Sequence, residues 1–209
     1  MDDSGNALNQ AEFVYVNADI FELEVDMIVN PVNCKGVSGA GLALEFKKRF
    51  PVSQKRYEAV CKQEMFMTDA TGTRKKVAAF RPGDILHFID IDLNSPILQD
   101  YANKKAESDG LEDSGTEKLE KLLSQRKHLI YFPTKNHWKR PARYEYISKG
   151  MLALRDLLLK PDVNVESIAI PALGCGLGGL SPSVVSGIII DHLKDLPLKV
   201  YMLHPLVEL

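Results

Sequence analysis

The chain has 209 residues, 45% of them hydrophobic and 26% charged, with a formal net charge of −2. This is the composition of a globular domain large enough to bury a core without metals or disulfides. A general electrostatic binder of nucleic acid would be basic, so any nucleic-acid contact here must be local.

Three cysteines, Cys34, Cys61 and Cys175, lie far apart and form no CxxC pair. They argue against a disulfide framework and a zinc knuckle, so no metal is expected and a reducing, cytoplasmic setting is. Residues 1–11 read as a loose polar tail without a secretory signal, ahead of a single domain over 12–209. No apolar run reaches the length of about 18 residues that a membrane helix needs, so no membrane partner is expected.

Phe13 to Val16 reads as a first strand and Val25 to Val29 as a second, ending at Asn30-Pro31. Gly39 to Gly41 opens a helix to about Phe50, with Leu42, Phe46 and Phe50 on one face. Pro51 stops it, and Val52 to Lys62 forms the next helix. Residues 66–82 suggest a hairpin or loop, and Ile85 to Ile89 a strand. Residues 94–127 are polar and charged; we read them as a surface insertion, partly helical around Glu117 to Leu123.

His128 to Phe132 is the next strand, ending at Pro133-Thr134-Lys135. Tyr144 to Leu158 reads as a helix with Ile147, Met151, Leu154 and Leu158 along one stripe. Ser167 to Ile170 is a strand ending at Pro171. Ser181 reads as an N-cap and Pro182 as the first residue of a helix to about Leu193, and Val200 to Leu203 as a last strand. Strands alternating with helices imply an α/β fold with helices on both faces of a sheet, where ligands gather at carboxyl ends of strands.

Two loops carry chemistry. Gly174-Cys175-Gly176-Leu177-Gly178-Gly179 has four glycines, which free the backbone to aim successive N–H groups at a phosphate, beside a helix N-terminus. The bland alternative is a flexible turn without a ligand. The loop also matches G-x-G-x-x-G, but the next strand ends Tyr201-Met202-Leu203-His204 with no acid before Glu208 to hold a ribose, and no Lys-Ser/Thr pair follows the glycines. The Rossmann and P-loop readings fall away. The earlier loop, from Asn30 through Asn33 to Gly39-Ala40-Gly41-Leu42-Ala43, again sets glycines before a helix and adds two amides that can read ribose hydroxyls.

Together these loops resemble the macrodomain, an ADP-ribose-binding family. Asn30-Pro31-x-Asn33 with Gly39-x-Gly41-x-Ala43 matches its first loop, and Pro171 with Gly174-x-Gly176 its phosphate loop. The resemblance implies a three-layer α/β/α sandwich around a mixed sheet. It implies ADP-ribose contacts from Asp19 (to the adenine amino group), Ile20, Gly39, Ala40, Gly41, Leu42, Pro171, Gly174, Cys175, Gly176, Leu177, Gly178 and Gly179. His204 would lie near the adenine.

Within that family the chain resembles the DarG-type DNA ADP-ribosyl glycohydrolase antitoxins, related to the terminal ADP-ribose protein glycohydrolase class. The likeness rests on Gly36 to Phe50 with its Lys47-Lys48-Arg49-Phe50-Pro51 ending, on Phe132 to Lys139 followed by Arg143, and on Ile170 to Gly179. It implies removal of ADP-ribose from single-stranded DNA, thymidine-linked, with Lys135 catalytic alongside Asn30 or Asn33 and with a DarT-like toxin as partner. The protein-glutamate class carries an aspartate where this chain has Gly178, a departure that favours DNA. His137, Trp138, Lys139, Arg140 and Arg143 form an aromatic and basic cluster able to contact DNA, against the alternative of a buried tryptophan beside solvated charges. Other readings stay open: a module that binds ADP-ribose without turnover, or a hydrolase of protein-linked ADP-ribose. Cys175 reads as a packed residue rather than a nucleophile, and His87, His128 and His192 as structural.

Overall fold

The computed structural model describes residues 9–68, 72–91 and 126–203. The elements run β1 (Glu12–Val16), β2 (Met27–Asn33), α1 (Gly41–Arg49), α2 (Pro51–Lys62), β3 (Glu64–Thr68), β4 (Arg74–Ala78), β5 (Leu86–Ile91), β6 (Arg126–Lys135), α3 (Tyr144–Leu158), β7 (Ser167–Ile170), α4 (Pro182–Leu193) and β8 (Lys199–Leu203). The helix expected around Glu117, the tip of the 66–82 hairpin and His204 lie outside the described residues.

Six strands form one sheet in the order β1-β8-β7-β2-β6-β5, and β3 with β4 forms a separate two-stranded ribbon. Every pairing in the large sheet is parallel except β5 with β6. The α/β fold with a mixed central sheet is as expected.

Alternation along the strands builds two cores. Met27, Val29, Ile130 and Phe132 face α3 and α4, whose Ile147, Met151, Leu154, Val185 and Ile189 close that side. Ile28, Leu129 and Tyr131 face α1 and α2, where Phe46, Phe50 and Tyr57 are buried. Helices therefore cover both faces. Gly150 is the contact point of α3 with the sheet: a Cβ there would lie 2.3 Å from the Phe132 ring.

Two local expectations are corrected. β2 does not end at Asn30-Pro31 but runs to Asn33 along β6. Pro31 fits because β7 pairs with β2 only at Met27 and Ile28, so its missing N–H removes no second ladder. Ser181 holds the N-cap position of α4, yet its hydroxyl bonds Ser183 Oγ at 3.0 Å rather than the helix backbone. Its own N–H donates to the Tyr144 hydroxyl at 3.0 Å.

Candidate functional site

The carboxyl ends of β7, β2 and β6 lie side by side at the middle of the sheet. The glycine loop after β7, the loop after β2 and Lys135 at the end of β6 therefore converge on one edge, as their strand-end positions predict.

The glycine loop is shaped by its own hydrogen bonds. Cys175 N–H donates to Ala172 O, Gly179 N–H to Gly176 O and Leu180 N–H to Gly174 O, at 3.0–3.1 Å. Gly174 and Gly179 hold φ of +73° and +78°, the left-handed region glycine tolerates. A Cβ on Gly178 would stand 2.1 Å from Gly174 O, so no side chain fits there. Among the described residues the N–H groups of Gly176, Leu177 and Gly178 donate to no protein acceptor, which leaves three adjacent donors for an anion. Cys175 Sγ points at Leu173 O at 3.6 Å and burial pushes its thiol up, as a packed cysteine requires.

A cavity of about 460 Å³ opens beside this loop, over the ends of β7 and β8 and the first turns of α4. Tyr15, Pro171, Leu203 and Ile190 give it apolar walls, and Ser183, Ser186 and Gly187 leave the room. Sequence reasoning missed it, although small residues at positions 183, 186 and 187 recur at helical spacing, which was the available signal. Asp19 and Ile20 do not line it: Ile20 is buried, and Asp19 Oδ1 accepts the Phe21 N–H at 3.0 Å.

The loop after β2 is held from beneath. Asn33 Nδ2 donates to Val37 O at 2.7 Å, and its Oδ1 accepts the Lys35 N–H at 2.8 Å. Both ends of the amide thus shape the loop. Ser38 Oγ donates to Gln54 Oε1 at 3.2 Å, and the Tyr57 hydroxyl donates to Asn33 O at 2.7 Å. Gln54 and Tyr57, buried on α2, were not anticipated. Gly39, Ala40 and Gly41 are exposed at the start of α1, which has no side-chain cap, and Leu42 is half-buried. Asn30 lies inside β2, fully buried beside Tyr131.

Lys135 crosses from β6 to the glycine loop, where its Nζ donates to Leu177 O at 2.7 Å. Burial lowers its pKa below the ordinary lysine value, raising the share of neutral amine. After it, Trp138 is 49% exposed, which removes the buried alternative. His137 stacks on Trp138 at 5.6 Å and Lys139 Nζ sits 4.8 Å from the ring centroid. Arg140 N–H donates to His137 O, and Arg143 lies over Tyr146. The segment is fastened to the glycine loop where Ala142 N–H donates to Gly178 O at 3.1 Å. Among the described residues no group of three or more His, Cys, Asp or Glu could hold a metal, and no helix is long and apolar enough to cross a membrane.

Comparison with known proteins places this architecture. The Macro domain family model matches residues 96–189. The DNA ADP-ribosyl glycohydrolase of Thermus aquaticus is 30% identical over 167 residues, covering 79% of this chain and 33% of that protein. The protein of the same name from Mycobacterium tuberculosis is 29% identical over 189 residues, covering 88% of this chain. The chain spans only 39% of that relative's length. Among solved structures, the macrodomain of Mycobacterium tuberculosis DarG superposes with a TM-score of 0.65 at 26% identity, covering 93% of this chain and 99% of that one. Thermosipho africanus DarTG in complex with ADP-ribose gives 0.66 at 24% identity, covering 96% and 44%. From its sheet order, its paired strand-end loops and these likenesses, the chain belongs to the macrodomain family.

Proposed function

We propose that this chain binds ADP-ribose and hydrolyses the bond joining it to a base of single-stranded DNA, with thymidine-linked ADP-ribose as the first substrate to test. The observation that carries the reading is Lys135, partly desolvated at the end of β6 and bridging to the glycine loop through Leu177 O at 2.7 Å. The sheet order supports the following layout of the ligand. The adenosine end fills the cavity over β8 and β7, the diphosphate takes the N–H groups of Gly176 to Gly178, and the distal ribose lies over β2 and β6. Three strand spacings, about 14 Å, separate β8 from β6.

In the reaction the C1″–N bond breaks, the base leaves with a proton, and an oxygen from water ends on C1″. Lys135 acts at C1″, either as an amine that displaces the base and is then released when water takes its place on C1″, or as a cation beside the leaving base. Asn33, which fixes the loop after β2, positions the distal ribose through that backbone. Gly178 supports DNA over a protein-glutamate substrate, because an aspartate there collides with Gly174 O. Trp138, Lys139 and Arg140 stand exposed beside the ribose end, where the linked strand leaves.

The relatives support this reading: those from Mycobacterium tuberculosis and Thermus aquaticus are named DNA ADP-ribosyl glycohydrolases, and one from Thermosipho africanus is named a fusion of a DNA ADP-ribosyl transferase with a DNA ADP-ribosyl glycohydrolase. A transferase of that type is accordingly the proposed biological partner. The test is release of ADP-ribose from an ADP-ribosylated oligonucleotide. Wild type should release it and Lys135→Ala should not, while both bind free ADP-ribose. Binding without release by wild type makes this a reader module instead.

A further inference from the structure

The β3–β4 ribbon stands apart from the main sheet, its strands paired only with each other. A two-stranded ribbon is marginal by itself. This one is tied at its base, where Ala79 N–H donates to Gln63 O at 3.0 Å and the next residue, Phe80, is buried edge-on against Tyr57. Every residue of β3 is exposed, including Met65 at 43%, Phe66 at 58% and Met67 at 42%. Three consecutive exposed apolar side chains on a ribbon outside the main sheet call for a partner.

Register sorts the ribbon into two faces. Phe66 pairs with Lys76 and Thr68 with Arg74, so Phe66, Lys76 and Arg74 share one face. The Arg74 guanidinium lies 4.4 Å from the Phe66 centroid, and Lys76 pairs with Glu64. The opposite face carries Met65, Met67 and Lys75, with Arg81 donating to Met67 Sδ at 2.9 Å. An exposed ring flanked by cations on an otherwise acidic chain matches the chemistry of unpaired nucleic acid, bases on the ring and phosphates on the cations.

The ribbon's position selects the strand. Phe80 packs on Tyr57, whose hydroxyl holds Asn33 O, and the last turn of α2 touches Gly36 through Cys61. The ribbon thus rises from the wall of the loop that borders the ribose end of the crevice. We infer that the β3–β4 ribbon is a second nucleic-acid contact, gripping single-stranded DNA that flanks the modified nucleotide, with Phe66 and Arg74 as its centre. This rests on the DNA-directed reading of the site.

The experiment measures binding of a labelled, unmodified single-stranded DNA oligonucleotide by anisotropy, alongside calorimetry with free ADP-ribose. Phe66→Ala and Arg74→Glu should each weaken the oligonucleotide by about tenfold or more, and Phe66→Trp should restore it. Arg74→Ala should also lower the salt dependence by about one counterion. ADP-ribose affinity should stay at the wild-type value in all four, which also shows that they fold. Oligonucleotide affinity unchanged in Phe66→Ala and Arg74→Glu, or absent in wild type, overturns the inference. Failure of the hydrolase reading looks different: no ADP-ribose release by wild type, with oligonucleotide binding still sensitive to Phe66.

Discussion

Asn33 and Lys135 face each other across adjacent parallel strands only because the register steps between Val32 and Asn33. Val32 pairs with Pro133, but Asn33 pairs with Lys135, leaving Thr134 as the extra residue of a bulge. Bulges re-aim the side chains that follow them. Here the step brings the one lysine at the end of β6 level with the loop that Asn33 shapes, and its amine spans to Leu177 O in the glycine loop.

The pH dependence of turnover tests that placement. Burial lowers the Lys135 pKa from its ordinary 10.5, so the neutral amine appears at lower pH than in an exposed lysine. If the amine attacks C1″, the single-turnover rate should rise with pH through that lowered value and then level. Lys135→Arg keeps the charge but cannot deprotonate, and should cost about 100-fold or more in rate. A full rate in the arginine variant would remove the amine from the chemistry.

Gly178 should accept no side chain. With a Cβ only 2.1 Å from Gly174 O, Gly178→Ala must displace the backbone whose N–H groups we propose for the diphosphate. We expect ADP-ribose affinity to fall at least tenfold, about 1.4 kcal/mol, by calorimetry. Gly176→Ala meets nothing within 4 Å and should be milder, so the order of the two variants is the test.

Gly187 offers the reverse case. It lines the cavity, and an added Cβ meets nothing within 4 Å. Gly187→Leu should therefore fold normally, gaining about 0.5–1 kcal/mol from helix propensity. It should nonetheless weaken ADP-ribose binding more than tenfold by filling the cavity proposed for adenosine. Equal weakening of a ribose phosphate lacking adenine would show that the cavity is not where adenine sits.

Local pattern made much of this legible. Helix α3 begins and ends where its apolar stripe predicts, and the glycine loop sits between a strand and a helix as its composition requires. What stayed hidden depended on distant partners. The bulge at Asn33 exists only against β6, and no single strand encodes it. Ser53 and Gln54 on α2 are polar yet buried, because Asp90 on β5 accepts both the N–H and the hydroxyl of Ser53 and Ser38 donates to Gln54.

Two histidines should set the acid limit of stability. His87 Nε2 and His128 Nδ1 lie 3.0 Å apart on β5 and β6. Burial lowers both pKa values; neighbouring His128 and Lys160 lower His87 further, while Asp162 and Asp26 oppose the shift at His87 and His128 respectively. Each imidazole is thus harder to protonate folded than unfolded. As pH falls below the ordinary 6.5, the unfolded chain takes up protons that the folded pair resists, and stability is lost down through the lowered values. Urea midpoints measured from pH 7.5 to about 5 should fall with acid, and His87→Leu should flatten that slope.

Gly150 marks the tightest contact between α3 and the sheet. A methyl group there would lie 2.3 Å from Cζ of Phe132 and 2.8 Å from both adjacent ring carbons, and Phe132 is itself fully buried beneath the helix. Gly150→Ala gains helix propensity of about 1 kcal/mol in an exposed setting, but here the ring must move or the helix must lift. Overpacking of this kind costs about 1–3 kcal/mol, so the net effect should be destabilising. Phe132→Leu removes the ring edge that blocks the methyl group. In that background Gly150→Ala should cost less than it does alone, so the double-mutant cycle carries a favourable coupling. Additive losses would mean that the strain lies elsewhere along α3.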